Sequence, residues 1–146
     1  MTIRPVATDD IDGCARSLVR AYNQAPWRHN WDFEKAVKYL REYLEVKQFV
    51  GFVLCEGDEI AGTIFAHSKT WWANDQLFID ELFISDHKQR SGYGKRLLGN
   101  AEQYAKDHGL KSLSLMTNKF MPAFHSYNKL NFFHAEQLIF LFREIH

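Results

Sequence analysis

Apolar residues recur at a helical period through the first 45 positions, and beyond them the chain changes to runs that suit strands. Ile3 to Pro5 read as a short first strand. Thr8-Asp9-Asp10 supply a helix N-cap, and Ile11, Cys14, Leu18 and Tyr22 then fall on one face of a first helix. Residues 23–30 break the period. Asp32 caps a second helix with Phe33, Val37, Leu40 and Leu44 on its buried side. Residues 49–56 and 59–66, rich in β-branched and aromatic side chains, flank Gly57-Asp58 and predict an antiparallel hairpin.

Residues 77–84 form a nearly continuous apolar run interrupted by Asp80 and Glu81, the pattern of a central strand. A polar loop follows, and Leu97, Leu98, Ala101 and Ala105 mark a helix closed by Gly109. The next strand covers residues 113–116, so strand, helix and strand make a right-handed parallel crossover. Pro122 opens a last helix, Asn131 suits its left-handed C-terminal cap, and residues 132–135 and 137–143 read as a closing hairpin. The expectation is a mixed α/β fold in a single domain over residues 1–146, a length at which folding buries roughly 68–70% of the unfolded surface.

Composition narrows the partners. Lys plus Arg and Asp plus Glu balance at 18 each, which leaves no global field for nucleic acid or an acidic membrane. Cys14 and Cys55 lie far apart among apolar neighbours, as reduced thiols do. The opening residues carry no long apolar stretch of the signal-peptide kind, and no later run approaches the ~18 apolar residues of a membrane span. These features predict a cytoplasmic protein. The seven histidines show no close helical pair, so no metal site is expected.

The most informative segment lies between the predicted central strand and its crossover helix: His87, Lys88, Gln89, Arg90, Ser91, Gly92, Tyr93, Gly94, Lys95 and Arg96. A helix N-terminus beyond a strand's carboxyl end offers unpaired amides and about half a positive charge, and glycines there let phosphate oxygens approach the backbone. Lys88, Arg90, Lys95 and Arg96 are followed by no carboxylate until Glu102, an arrangement that opposes the helix dipole unless a polyanion is bound. Gly92-x-Gly94-Lys95 has the wrong spacing for a P-loop, and a dinucleotide fingerprint would need glycine where Leu97 stands. Among phosphate ligands, coenzyme A remains.

Gln89-Arg90-Ser91-Gly92-Tyr93-Gly94 resembles the Q/R-x-x-G-x-G/A pattern of the GCN5-related N-acetyltransferase family, and it follows Leu82-Phe83-Ile84 at the family's usual distance. The segment from Ala123 to Phe132 is similar to the family's A-x-x-x-Y-x-K-x-G-F motif, with Asn131 in place of glycine. The resemblance covers essentially the whole chain and implies a central mixed, mostly antiparallel sheet with flanking helices. It also implies transfer of the acetyl group of acetyl-CoA directly to a primary amine of a small molecule or peptide. The pantetheine arm would lie along Leu82, Phe83 and Ile84, and the pyrophosphate on the turn from Gln89 through Arg90, Ser91, Gly92, Tyr93 and Gly94 to Lys95. Asn118 and Tyr127 would also contact the cofactor, and Tyr127 would protonate the departing thiolate. Family members are often dimers, which makes a homodimer an expectation by analogy.

An aliphatic amine, with a reference pKa of about 10.4, attacks only as its free base, so a proton acceptor is required. Glu81 is the favoured base and Asp80 the alternative, and strict alternation along a strand puts the two on opposite faces. Tyr22, Trp27, Trp31, Trp71 and Trp72 lie in or beside segments that resemble the family's substrate-facing loops, where aromatic faces attract ammonium groups. Trp27 and Trp31 give a weak similarity to aminoglycoside 6'-N-acetyltransferases. The reading from another class is a noncatalytic module that binds acetyl-CoA without transferring its acetyl group.

Overall fold

The hairpin that turns at Gly57-Asp58 forms the middle of a five-stranded sheet. The computed structural model describes residues 1–89 and 91–146, which divide into two compact units, Met1–Met116 and Thr117–His146. In the first unit the strands β1 (Thr2–Pro5), β2 (Phe49–Glu56), β3 (Glu59–Lys69), β4 (Gln76–Ile84) and β5 (Ser112–Leu115) lie side by side in chain order. Successive pairs are antiparallel except β4 and β5, which run parallel. The connection between those two is the predicted crossover helix α3 (Tyr93–Asp107).

Helices α1 (Ile11–Tyr22) and α2 (Phe33–Leu44) cover one face of the sheet. Ile11, Cys14, Leu18, Ala36 and Leu40 join Val53, Phe65 and Phe83 in one buried cluster there. Burial pushes the Cys14 thiol up to about 12, so it stays protonated and inert. The opposite face packs on Leu97 of α3, which approaches Gly62 together with Ile84. No helix among the described residues is long and apolar enough to cross a membrane.

Asp32 caps α2 as its position predicts, with its carboxylate accepting from the Lys35 amide at 2.7 Å. The buried stripe of α2 is centred on Ala36 and Leu40 and not on the Phe33–Val37 line, which leaves Phe33 41% exposed. Replacing Asp32 with Ala should cost about 1 kcal/mol and lower the melting temperature by roughly 2–4 °C, read by circular dichroism. The start of α1 differs from the expectation. Thr8–Asp10 forms a short 3-10 turn, and the Asp10 carboxylate accepts from the Ala7 amide at 2.7 Å instead of capping α1. Arg4 grips the same carboxylate at 2.7 and 2.9 Å and holds its pKa below the usual carboxylate range.

Two irregularities in β4 shape everything that follows. Phe65 pairs with Glu81 and Ala66 with Ile79, so Asp80 is an extra residue, a β-bulge. Further along, β5 pairs only with the stretch of β4 from Gln76 to Ile79. Beyond the bulge β4 keeps β3 as its neighbour on one side, and its other edge extends past the β5 ladder.

In the second unit, α4 (Pro122–Lys129) begins with proline in its first turn. Asn131 adopts φ +68°, and the Phe132 amide reaches back to the Tyr127 carbonyl at 3.1 Å, which is the expected left-handed termination. The expected closing hairpin is absent: residues 132–146 carry no strand, and Leu138, Ile139, Phe140, Leu141 and Phe142 are exposed. A lone two-stranded hairpin is marginal in water, and this unit contains no other strand on which to build one.

Candidate active site

The bulge turns Asp80 and Glu81 to the same face, which corrects the expectation of opposite faces. Glu81 lies opposite Phe65 in the β3–β4 ladder and therefore points, like Phe65, toward α1 and α2. Asp80 places its carboxylate 2.6 Å from Nδ1 of His67, two residues along β3 from Phe65 and thus on that same side. An extra residue breaks the period of two, and sequence alternation cannot register it.

Glu81 ends in a tyrosine clamp. Tyr39 of α2 donates to one carboxylate oxygen at 2.6 Å, and Tyr22 of α1 donates to the other at 3.0 Å. A second tyrosine of α2, Tyr43, is hydrogen-bonded to the Tyr39 hydroxyl at 2.9 Å. Burial pushes the Glu81 carboxyl above the usual range, outweighing the two hydrogen bonds that favour its ionised form, and the charge of Asp80 pushes the same way. Burial and the Glu81 charge likewise hold Tyr39 well above an ordinary phenol. The phenols therefore remain donors.

Aromatic rings gather over this carboxylate. Tyr22 meets Trp27 edge-on with centroids 5.7 Å apart, His29 at 5.5 Å and Phe83 at 5.9 Å. Trp31 packs on Tyr39 at 5.2 Å. Asn23 fastens the loop between the helices by accepting from the Trp31 amide at 2.8 Å and donating to the Trp31 carbonyl at 2.9 Å. Tyr22, Trp27 and Trp31 thus belong to one region around the two helices, whereas Trp71 and Trp72, 59% and 95% exposed, stand out in the loop before β4. Trp71 is tied to that loop by its amide, which donates to Asp75 at 3.0 Å.

At the other end of β4 the chain enters the glycine-rich turn. Ser85 is buried, with its hydroxyl 2.8 Å from that of Ser17 on α1. Arg20 of the same helix bonds Asp86 at 3.0 Å. Replacing Ser17 with Ala takes the partner of a buried hydroxyl and should cost about 1–3 kcal/mol in urea denaturation. Lys88 pairs with Glu56 at 2.8 Å, so its charge is neutralised by a residue that the local sequence does not reveal. The Gln89 side chain turns back to the Ile84 carbonyl at 3.0 Å, and its amide makes a long bond to Asp86 at 3.4 Å. Arg90 lies outside the described residues.

Gly92 caps α3 at φ +79°, ψ 9°, a left-handed conformation that costs a residue with a side chain about 1–2 kcal/mol. The Arg96 amide makes the first helical bond, to the Gly92 carbonyl at 3.1 Å. The amides of Tyr93, Gly94 and Lys95 therefore precede the α-helical ladder. Among the described residues no atom lies within 4 Å of the position a Cβ would take on Gly92 or Gly94, so a ligand can approach the backbone closely there. Ser91 and Lys95 are exposed and Tyr93 is half-buried. The first turn of α3 carries no acidic residue.

Asn118 and Tyr127 belong to the second unit. Asn118 accepts from the Phe120 amide at 2.9 Å, an Asx-type turn leading into α4, and the half-buried Tyr127 ring packs on Phe132 with centroids 5.5 Å apart. Sequence reasoning missed Tyr39, Tyr43 and His67. The two tyrosines sit one turn apart on α2 beside its buried stripe, a signal that was available. His67 had none, because its partner is set by the bulge.

A sequence model of the acetyltransferase (GNAT) family matches residues 15–132. The uncharacterized N-acetyltransferase YhfO of Bacillus subtilis (strain 168) is 29% identical over 119 residues, which cover 80% of this chain and 78% of that protein. Among solved structures, a possible acetyltransferase from Clostridium difficile 630 superposes with a TM-score of 0.80 at 20% identity, covering 99% of this chain and 98% of its own. An aminoglycoside antibiotic 6'-N-acetyltransferase from Acinetobacter haemolyticus gives 0.77 at 14% identity, with both chains covered in full. At those identities the solved structures establish the fold. The family match supplies the rest: this chain belongs to the GNAT family of acetyltransferases.

Proposed function

We propose that this protein transfers the acetyl group of acetyl-CoA directly to a primary amine of a small molecule or peptide. The observation that carries the reading is the edge of β4 beyond the β5 ladder, which runs from Glu81 at one end to the open helix start at Gly92 at the other. The residues present fit the cofactor: open space faces Gly92 and Gly94, three amides precede the helical ladder, and the first turn has no competing carboxylate.

Acetyl-CoA, when bound, supplies an activated acetyl thioester. The main chain of Leu82, Phe83 and Ile84 would hold its pantetheine arm, and the amides of Gly92, Tyr93, Gly94 and Lys95 its pyrophosphate. Glu81 takes the proton of the incoming ammonium, directly or through a water. Its raised pKa brings it closer to neutrality, where a general base is most effective. Main-chain amides of β4 provide preorganised donors for the oxygen on which charge develops. By family resemblance Tyr127 returns a proton to the departing sulfur. The balanced charge of the chain is the reason for placing its substrates among small amines or peptides and not nucleic acid or membranes.

The test is release of free thiol from acetyl-CoA across a panel of primary amines, with calorimetry for cofactor binding. Thiol release that depends on an amine supports the reading. Tight cofactor binding with no thiol release from any amine would replace it with a noncatalytic acetyl-CoA-binding module.

A further inference from the structure

We propose that the acceptor for this site is a monoamine carried on a flat apolar or aromatic body, and that Trp27 selects it; the inference rests on the acetyl-transfer reading above. Residues 23–31 lead away from Tyr22, which bonds Glu81, and the one formal charge they contribute is Arg28, a cation. The other contributors are rings: Trp27 and His29 lie against Tyr22, and Trp31 lies against Tyr39. Trp31 donates its indole N–H to Nδ1 of His29 at 3.3 Å, which ties the two rings together.

The count of carboxylates limits the count of ammonium groups. Tyr22 and Tyr39 donate to the two oxygens of Glu81, and among the described residues no cation is paired with it. Asp80, the other carboxylate on this face, is already paired with His67. Asp32, just past the loop, spends one oxygen on the Lys35 amide. One ammonium therefore finds a partner at Glu81, and the body behind it finds half-buried aromatic faces on which to lie. A second or third ammonium would meet no carboxylate in residues 23–31, whose one formal charge is the cation Arg28. The two hydrogen bonds between Asn23 and Trp31 fasten the loop from within, which favours a preorganised acceptor surface.

The experiment measures thiol release by the whole chain with 2-phenylethylamine, ethylamine and spermidine. The expected result is a kcat/KM for 2-phenylethylamine about tenfold or more above those for ethylamine and spermidine, the size of one good ring contact. Trp27→Ala should raise KM for 2-phenylethylamine about tenfold, well beyond any change it makes for ethylamine, and Trp27→Phe should restore most of the loss. A general packing defect would weaken both amines alike, and that outcome overturns the role of Trp27. If Trp27→Ala does not fold, the wild-type panel and Trp27→Phe decide the matter. Preference for spermidine sinks this inference alone. Silence with all amines sinks acetyl transfer itself and this inference with it.

Discussion

Glu81→Gln should lower turnover by about 10²- to 10⁴-fold, the range for loss of a positioned general base, while leaving the protein at least as stable at neutral pH. The two effects share one cause. A carboxyl with a raised folded-state pKa holds its proton more tightly in the native than in the unfolded chain, where the reference value is about 4.3. Its contribution favours the native state below that reference and is lost as pH rises through the folded value. Ionising the buried Glu81 at neutral pH thus works against the fold. Glutamine keeps an acceptor for the phenols and removes the charge. The acid limb of the wild-type pH–rate profile should vanish, and the remaining rate should follow deprotonation of the amine itself, moving the profile upward. An unmoved profile would hand the role of base to another group, with Asp80 the first to examine.

Gly94→Ala should separate binding from folding in the opposite way. Gly94 lies in the first turn of α3, and the position its Cβ would take is empty to 4 Å. Alanine there costs the folded chain nothing sterically and reduces the freedom of the unfolded chain, a gain of up to about 1 kcal/mol. A methyl group would, however, stand between the helix amides and a diphosphate. Acetyl-CoA affinity should fall at least about tenfold, or 1.4 kcal/mol, in calorimetry while the melting temperature holds or rises. Retained affinity would mean that the phosphates do not approach this turn, and the functional reading would lose its foundation. Gly92 is the poorer test, because its positive φ would make any substitution destabilising as well.

What the sequence reveals and what it hides divide along physical lines. Asp32 as a cap, the crossover from β4 through α3 to β5, and Asn131 in the left-handed region are local matters, decided within a few residues by side-chain chemistry and φ preference. The bulge at Asp80 is not local, since the register of β3 opposite decides which residue is extra. That single insertion puts Glu81 on the face where Asp80 already meets His67. Lys88 counted as a free cation in the turn until Glu56, from the far end of β2, proved to be its partner. The tyrosine clamp lies between the two cases: its members have the right spacing on α2, but only tertiary packing sets them against Glu81. The C-terminal run read as a hairpin because strand composition was present, and composition cannot supply a neighbouring edge.

Helix α1 reaches Glu81 through Tyr22 and the start of the glycine-rich turn through Ser17 and Arg20. Under the proposed acetyl transfer a single strut braces both ends of the reaction, and a shift that tilts it to suit a new acceptor would also disturb the turn assigned to the pyrophosphate. The same reasoning directs changes of acceptor preference into the loop that follows the helix, where Trp27 meets the strut edge-on at Tyr22.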